Sequence, residues 1–161
     1  MGYLGNDYFG YGDLASEWAK IDLKAAADWA AKIEDASDRR QALYEVATEW
    51  AKSDPKAAAD LASKIEEAKE RGWALRGVAC EWAKSDLKAA ADLAAKIEEA
   101  NFRSYALGGV ATEWAKRDLK AAADWAAKIE KANTRGEALR SVAEEWAKSD
   151  PKAAADLAAK I

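Results

Sequence analysis

Histidine is absent from these 161 residues, cysteine occurs once and proline twice. Without histidine there is no imidazole base near neutrality and no Ser-His or Cys-His nucleophile pair. The commonest zinc and copper ligand is missing too. One thiol, Cys80, builds neither a disulfide framework nor a CxxC pair. No apolar run approaches the roughly 18 residues that a membrane-spanning helix needs. The opening residues Met1-Gly2-Tyr3-Leu4-Gly5-Asn6 lack the charged and apolar segments of a signal peptide. The formal net charge is −4, with 25 basic and 29 acidic residues interspersed. Nothing resembles the basic footprint that nucleic acid demands. Gly10-Tyr11-Gly12 has neither the preceding strand nor the following Gly-Lys of a phosphate loop. Carboxylates are plentiful, but they recur as copies on solvated faces. The expectation is a non-enzymatic chain without cofactor or metal, soluble in a reducing, cytoplasmic setting, with no nucleic-acid or membrane partner.

What is present is repetition. Glu-Trp-Ala-Lys occurs at Glu17–Lys20, Glu49–Lys52, Glu81–Lys84, Glu113–Lys116 and Glu145–Lys148, always 32 residues apart. A fixed period in this range marks a repeat array, in which length counts units rather than core volume. The copies divide the chain into a leading half-unit (1–16), four full units (17–48, 49–80, 81–112, 113–144) and a closing half-unit (145–161).

Each unit reads as two helices. In the first, Asp54 is an N-cap candidate and Pro55 fits the first helical position, where its missing N–H costs nothing. Ala58, Leu61, Ala62 and Ile65 then fall at i, i+3, i+4, i+7. Lys56, Asp60 and Lys64 are expected to form a solvated ladder on another face, worth tenths of a kcal/mol per pair. The second helix carries the stripe Leu75, Val78, Ala79 and Trp82, with Ser37, Asn101 and Asn133 as expected N-caps in its equivalents. Tyr8–Lys20 reads as the second helix of the leading half-unit, with Tyr11, Leu14 and Ala15 matching Leu43, Val46 and Ala47. The Glu-Trp-Ala-Lys tryptophans continue an apolar stripe and so read as packing elements, as do Trp29 and Trp125; the alternative is a row of ligand contacts. Arg39, Arg71, Arg103 and Arg135 point toward the apolar side, where a charge needs a partner. An acidic residue or the end carbonyls of a neighbouring helix would serve.

The copies disagree in one place. The second helices vary at Arg40, Gln41, Tyr44, Glu45 and Thr48, then at Gly72, Trp73, Arg76, Gly77 and Cys80. Ser104, Tyr105, Gly108, Gly109 and Thr112 follow, and then Gly136, Glu137, Arg140, Ser141 and Glu144. The leading half-unit supplies Tyr8, Phe9, Gly12, Asp13 and Ser16. The spacing i, i+1, i+4, i+5, i+8 places each set on one helical face. Drift of a solvated face is one explanation. Yet Lys24, Asp28 and Lys32 recur in every full copy on an equally solvated face. Aromatics and arginine beside small residues are the chemistry of recognition surfaces. The expected contact residues are Tyr8, Phe9, Arg40, Gln41, Tyr44, Glu45, Trp73, Arg76, Tyr105, Glu137, Arg140 and Glu144. Trp73 and Tyr105 are both expected to be removable without loss of stability. Gly77, Gly108 and Gly109 weaken a helix interior by about 1 kcal/mol each. Close approach by a partner and tight helix packing are the two explanations. Cys80 is expected to be partly accessible.

Paired helices at this period resemble the α-solenoids. The unit is similar to tetratricopeptide repeats in length and two-helix form, and Leu4-Gly5-Asn6-Asp7-Tyr8 matches their Leu-Gly-x-x-Tyr element. Five variable positions beside a fixed frame resemble the layout of artificial HEAT-like binder libraries. The resemblance implies an all-α, right-handed solenoid of stacked helix-turn-helix units that binds a protein or peptide on its inner face. Two other readings stand beside it: a designed or recently duplicated array with no specific ligand, and a small-molecule site in the groove. A second-type helix at the start and a first-type helix at the end lead us to expect head-to-tail self-association.

Overall fold

The computed structural model describes residues 10–161, and among them every regular element is an α-helix. The odd-numbered helices are α1 (Tyr11–Ala19), α3 (Ala36–Ala51), α5 (Ala68–Trp82), α7 (Ala100–Ala115) and α9 (Ala132–Ala147). The even-numbered helices are α2 (Leu23–Ala30), α4 (Pro55–Ser63), α6 (Leu87–Ala95), α8 (Leu119–Ala127) and α10 (Pro151–Ala158). Tyr8 and Phe9 lie outside the described residues.

The even helices begin as the sequence predicts. Asp54 accepts the N–H of Ala57 at 2.9 Å, and Asp22, Asp86, Asp118 and Asp150 cap their helices in the same way. Pro55 and Pro151 open α4 and α10. The odd helices begin earlier than expected. Their N-caps are Asp35, Glu67, Glu99 and Lys131, so Ser37, Asn101 and Asn133 lie inside the first turn. Of these caps only Asp35 uses its side chain, accepting from Ser37 and Asp38.

The once-per-unit arginines secure the turn instead. Arg103 Nη1 donates to the carbonyls of Ile97 (2.8 Å) and Glu98 (3.0 Å), just past the end of α6. Arg39, Arg71 and Arg135 make the same fork. Two of them add a carboxylate. Glu70, 6 % exposed, faces Arg39 with Oε1 at 2.9 Å from Nη2, and Glu98 lies 3.0 Å from Arg71. Carbonyls orphaned at a helix end are thus satisfied by a fixed cation, which is the structural role the sequence implied.

Each odd helix packs on the next, α1 on α3, α3 on α5, α5 on α7 and α7 on α9. Each even helix rests on the odd helices before and after it in the chain, and α10 rests on α9. No comparable packing joins one even helix to another. The core between the layers is mostly alanine, with one Leu and one Val from each of α3, α5, α7 and α9. Val46, Val78, Val110 and Val142 are fully buried. The tryptophans of Glu-Trp-Ala-Lys are half-buried, not enclosed: their rings pack on the rim of an alanine-lined core too narrow to swallow them. Trp29 and Trp125 meet two of them, Trp18–Trp29 at 5.5 Å and Trp114–Trp125 at 5.1 Å between centroids. Tyr11 and Leu14 remain about half exposed, unlike Leu43 and Val46, because no described helix covers the outer side of α1.

The Lys/Asp ladder makes no ion pair among the described residues. The recurrent pairs are Glu49–Lys52 and its equivalents inside Glu-Trp-Ala-Lys, at 2.5–2.7 Å. Exposed lysines limit each to tenths of a kcal/mol.

Candidate functional site

The variable positions of the odd helices follow one another across the seams where those helices touch. The centre is an alternation of rings and guanidinium groups. Tyr44 of α3 lies 5.8 Å from Trp73 of α5, and Trp73 meets Phe102 of α7 edge-on at 5.5 Å. Arg76 stands over the Trp73 ring at 5.1 Å and over Tyr105 at 5.8 Å; Arg40 lies 6.0 Å from the centroid of the same Trp73 ring. Such cation–π contacts hold a guanidinium in place while leaving its N–H edge free. Tyr105 is 56 % exposed, while Arg40, Tyr44, Trp73 and Arg76 are half-buried.

The glycines explain how the rings are seated. A Cβ on Gly77 would lie 2.7 Å from Cε2 of Tyr44, and one on Gly72 would lie 2.6 Å from Cδ2 of Phe102. Each glycine on α5 therefore receives a ring from the helix on one side, with Trp73 between the two. Gly109 receives the Cys80 side chain, and Gly12 that of Gln41. Tight helix packing thus accounts for the glycines, and close approach of a partner is not needed. This gives a contrast. Gly77→Ala gains about 1 kcal/mol of helix propensity. It loses more by displacing the stiff, β-branched Thr48 and the Tyr44 ring seated on the glycine, so a net cost of about 1–2 kcal/mol is expected. Gly136, whose nearest neighbour beyond its own helix backbone would be Ile161 at 3.5 Å, has room for a methyl group. Gly136→Ala should stabilise by up to about 1 kcal/mol. Thermal melts of the two variants check both signs.

The remaining predicted residues sit at the two flanks. Gln41 donates to Glu45 at 2.8 Å. Burial raises the pKa of Glu45, and the Gln41 bond partly opposes this. Glu137 pairs with Arg140 at 3.1 Å on α9, and Glu144 is exposed further along the same helix. These three are on the same series of helices, but nothing joins them to the ring–arginine centre.

Two features escaped the sequence reading. Phe102 is one; its signal was visible, since the equivalent positions hold Asp38, Glu70 and Thr134. The other is a cleft of ≈ 340 Å³ that continues the centre along α3, α5 and α7, lined by Tyr44, Thr48, Cys80, Glu81, Lys84 and Glu113 among others. Cys80 is half-buried there, and burial pushes its thiol pKa up despite Arg76 nearby. Packing there disfavours the thiolate.

Clefts also lie between successive even helices. The one over α3 is ≈ 450 Å³ and is lined by Ala27, Arg39, Leu43, Leu61 and Ile65 among others. These are frame residues or close equivalents of them, and Arg39 is already committed to its carbonyls and Glu70. No group of three or more metal-ligating side chains occurs among the described residues, and no helix there is long and apolar enough to cross a membrane. No protein-family model matches the chain, nor does any curated protein or solved structure.

Proposed function

We propose that this chain is a non-enzymatic recognition scaffold that binds a protein or peptide segment on the variable face of the odd helices. In this reading the helix pairs form a right-handed α-solenoid of 32-residue units, and the frame repeats so that the variable residues form one surface. The observation that carries the reading is the ring–arginine centre. Arg40, Tyr44, Trp73, Arg76 and Tyr105 come from three helices, all from positions where the copies differ, and meet on one accessible face. Aromatics with restricted rotamers and pre-stacked guanidinium groups lose little entropy on binding and dominate interface energetics.

A second reading, a structural array with no ligand, is favoured by the seating of large residues on glycines across the seams. Variation would then record packing alone. The two readings separate at Tyr105. Its ring is more than half exposed and touches only Arg76 among the aromatic and cation–π contacts. Tyr105→Ala should change stability by no more than about 0.5 kcal/mol. Trp73 is no longer a clean probe, because it is wedged between Tyr44 and Phe102 and its loss removes packing as well. Panning a displayed random-peptide library against the immobilised protein should yield binders that lose at least tenfold in affinity on Tyr105→Ala, about 1.4 kcal/mol. Binders indifferent to that change, or none at all, would favour the packing reading.

A further inference from the structure

The ring–arginine centre has donors without acceptors. Among the described residues no carboxylate lies within ion-pairing distance of Arg40 or Arg76, although pairs form elsewhere on the chain. Arg40 makes one long bond, 3.4 Å to Ser37 Oγ. The Trp73 Nε1 atom is buried and has no hydrogen-bond partner. A buried donor left unpaired costs about 1–3 kcal/mol, so a group that supplies an acceptor gains accordingly. The once-per-unit arginines differ: each places Nη1 on backbone carbonyls and two add carboxylates, although Arg103 Nε, like Trp73 Nε1, is buried without a partner.

We infer that this face takes a peptide segment bearing two closely spaced acidic side chains, one for Arg40 and one for Arg76, the two cations that share the Trp73 ring. This rests on the recognition role proposed above. Two features select a segment over a chain terminus or a polyanion. The cations are two and share one ring, whereas a terminal carboxylate supplies a single anion. The carboxylates along the adjoining cleft are already matched, Glu81 by Lys84 at 2.7 Å and Glu113 by Lys116 at 2.6 Å, so no basic stripe extends from the two arginines. An extended phosphate backbone would find only these two cations on a chain that carries −4 as a whole. Two local negative charges match the pattern.

The test is a titration of the ¹⁵N-labelled full chain followed through its indole N–H signals, with that of Trp73 identified by Trp73→Phe. The probe is a capped heptapeptide with a leucine between two glutamates and a lysine at each end. It should shift the Trp73 indole signal saturably and leave the other indoles in place. Arg76→Gln, and separately Arg40→Gln, should weaken it about tenfold each, with circular dichroism showing both variants folded. The glutamine version of the peptide should give no shift at the same concentration. The inference is overturned if the Trp73 signal does not move, if the glutamine or all-lysine peptide moves it equally, or if oligothymidylate binds more tightly. Library-selected binders that depend on Tyr105 but lack paired acidic residues would sink this inference and leave the recognition role standing. Binders that ignore Tyr105 would remove both.

Discussion

Ile97→Ala is expected to cost about 2–5 kcal/mol in a denaturant titration. The magnitude follows from what surrounds it. Most of the buried side chains are alanine, so few large groups supply the apolar area, and Ile97 is the largest that is fully buried, at 1 % exposure. Its neighbours are helix-borne and held by backbone hydrogen bonds, so they collapse poorly into the space left behind. The chain carries its own controls. Ile65 and Ile129 hold the same place in their units but are half-buried, whereas Ile33, at 9 % exposure, is also in the core. Ile65→Ala should cost clearly less than Ile97→Ala. Equal losses would show that burial at this position does not set the stability.

Arg103→Ala is expected to cost about 2–3 kcal/mol, the worth of charge-assisted bonds to otherwise orphaned carbonyls. Its Nη1 holds the carbonyls of Ile97 and Glu98 together. Without it, two acceptors just beyond α6 must find water in a crowded turn. Arg103→Lys should recover part of the loss, since an ammonium keeps the charge but not the planar fork. The two sites are coupled. The residue whose side chain fills the core offers its carbonyl to the arginine, so the double variant should lose less than the sum of the single losses. Strict additivity would mean that the arginine fork and the isoleucine act independently.

These residues also show how far sequence periodicity reaches. Asp-Pro before an alanine-rich run announced the even helices, because a cap and a fixed φ are local chemistry. The starts of the odd helices were misplaced, because α5, α7 and α9 begin without a side-chain cap and the turn is held instead by an arginine four residues in that donates to the carbonyls of the connection. Comparing the copies picked out Arg40, Tyr44, Trp73, Arg76 and Tyr105 as one face. Periodicity within a helix could not say which of them would touch. That depends on the register between helices, which seats Tyr44 on Gly77 and Phe102 on Gly72. Phe102 was overlooked for the same reason: only the neighbouring helix reveals that its ring supports Trp73.

The two helix layers differ mechanically. The odd helices pack directly on one another, leaving one described cleft along α3, α5 and α7, whereas no comparable packing joins the even helices across the clefts between them. Under a bending load the abutting layer behaves as the stiff side of a hinge, and the deformation is taken up where the even helices spread or close. The ring–arginine centre lies on the stiff side, near the line about which the array flexes. It keeps its spacing while the opposite face moves, as a gauge mark placed close to the neutral axis of a beam keeps its length.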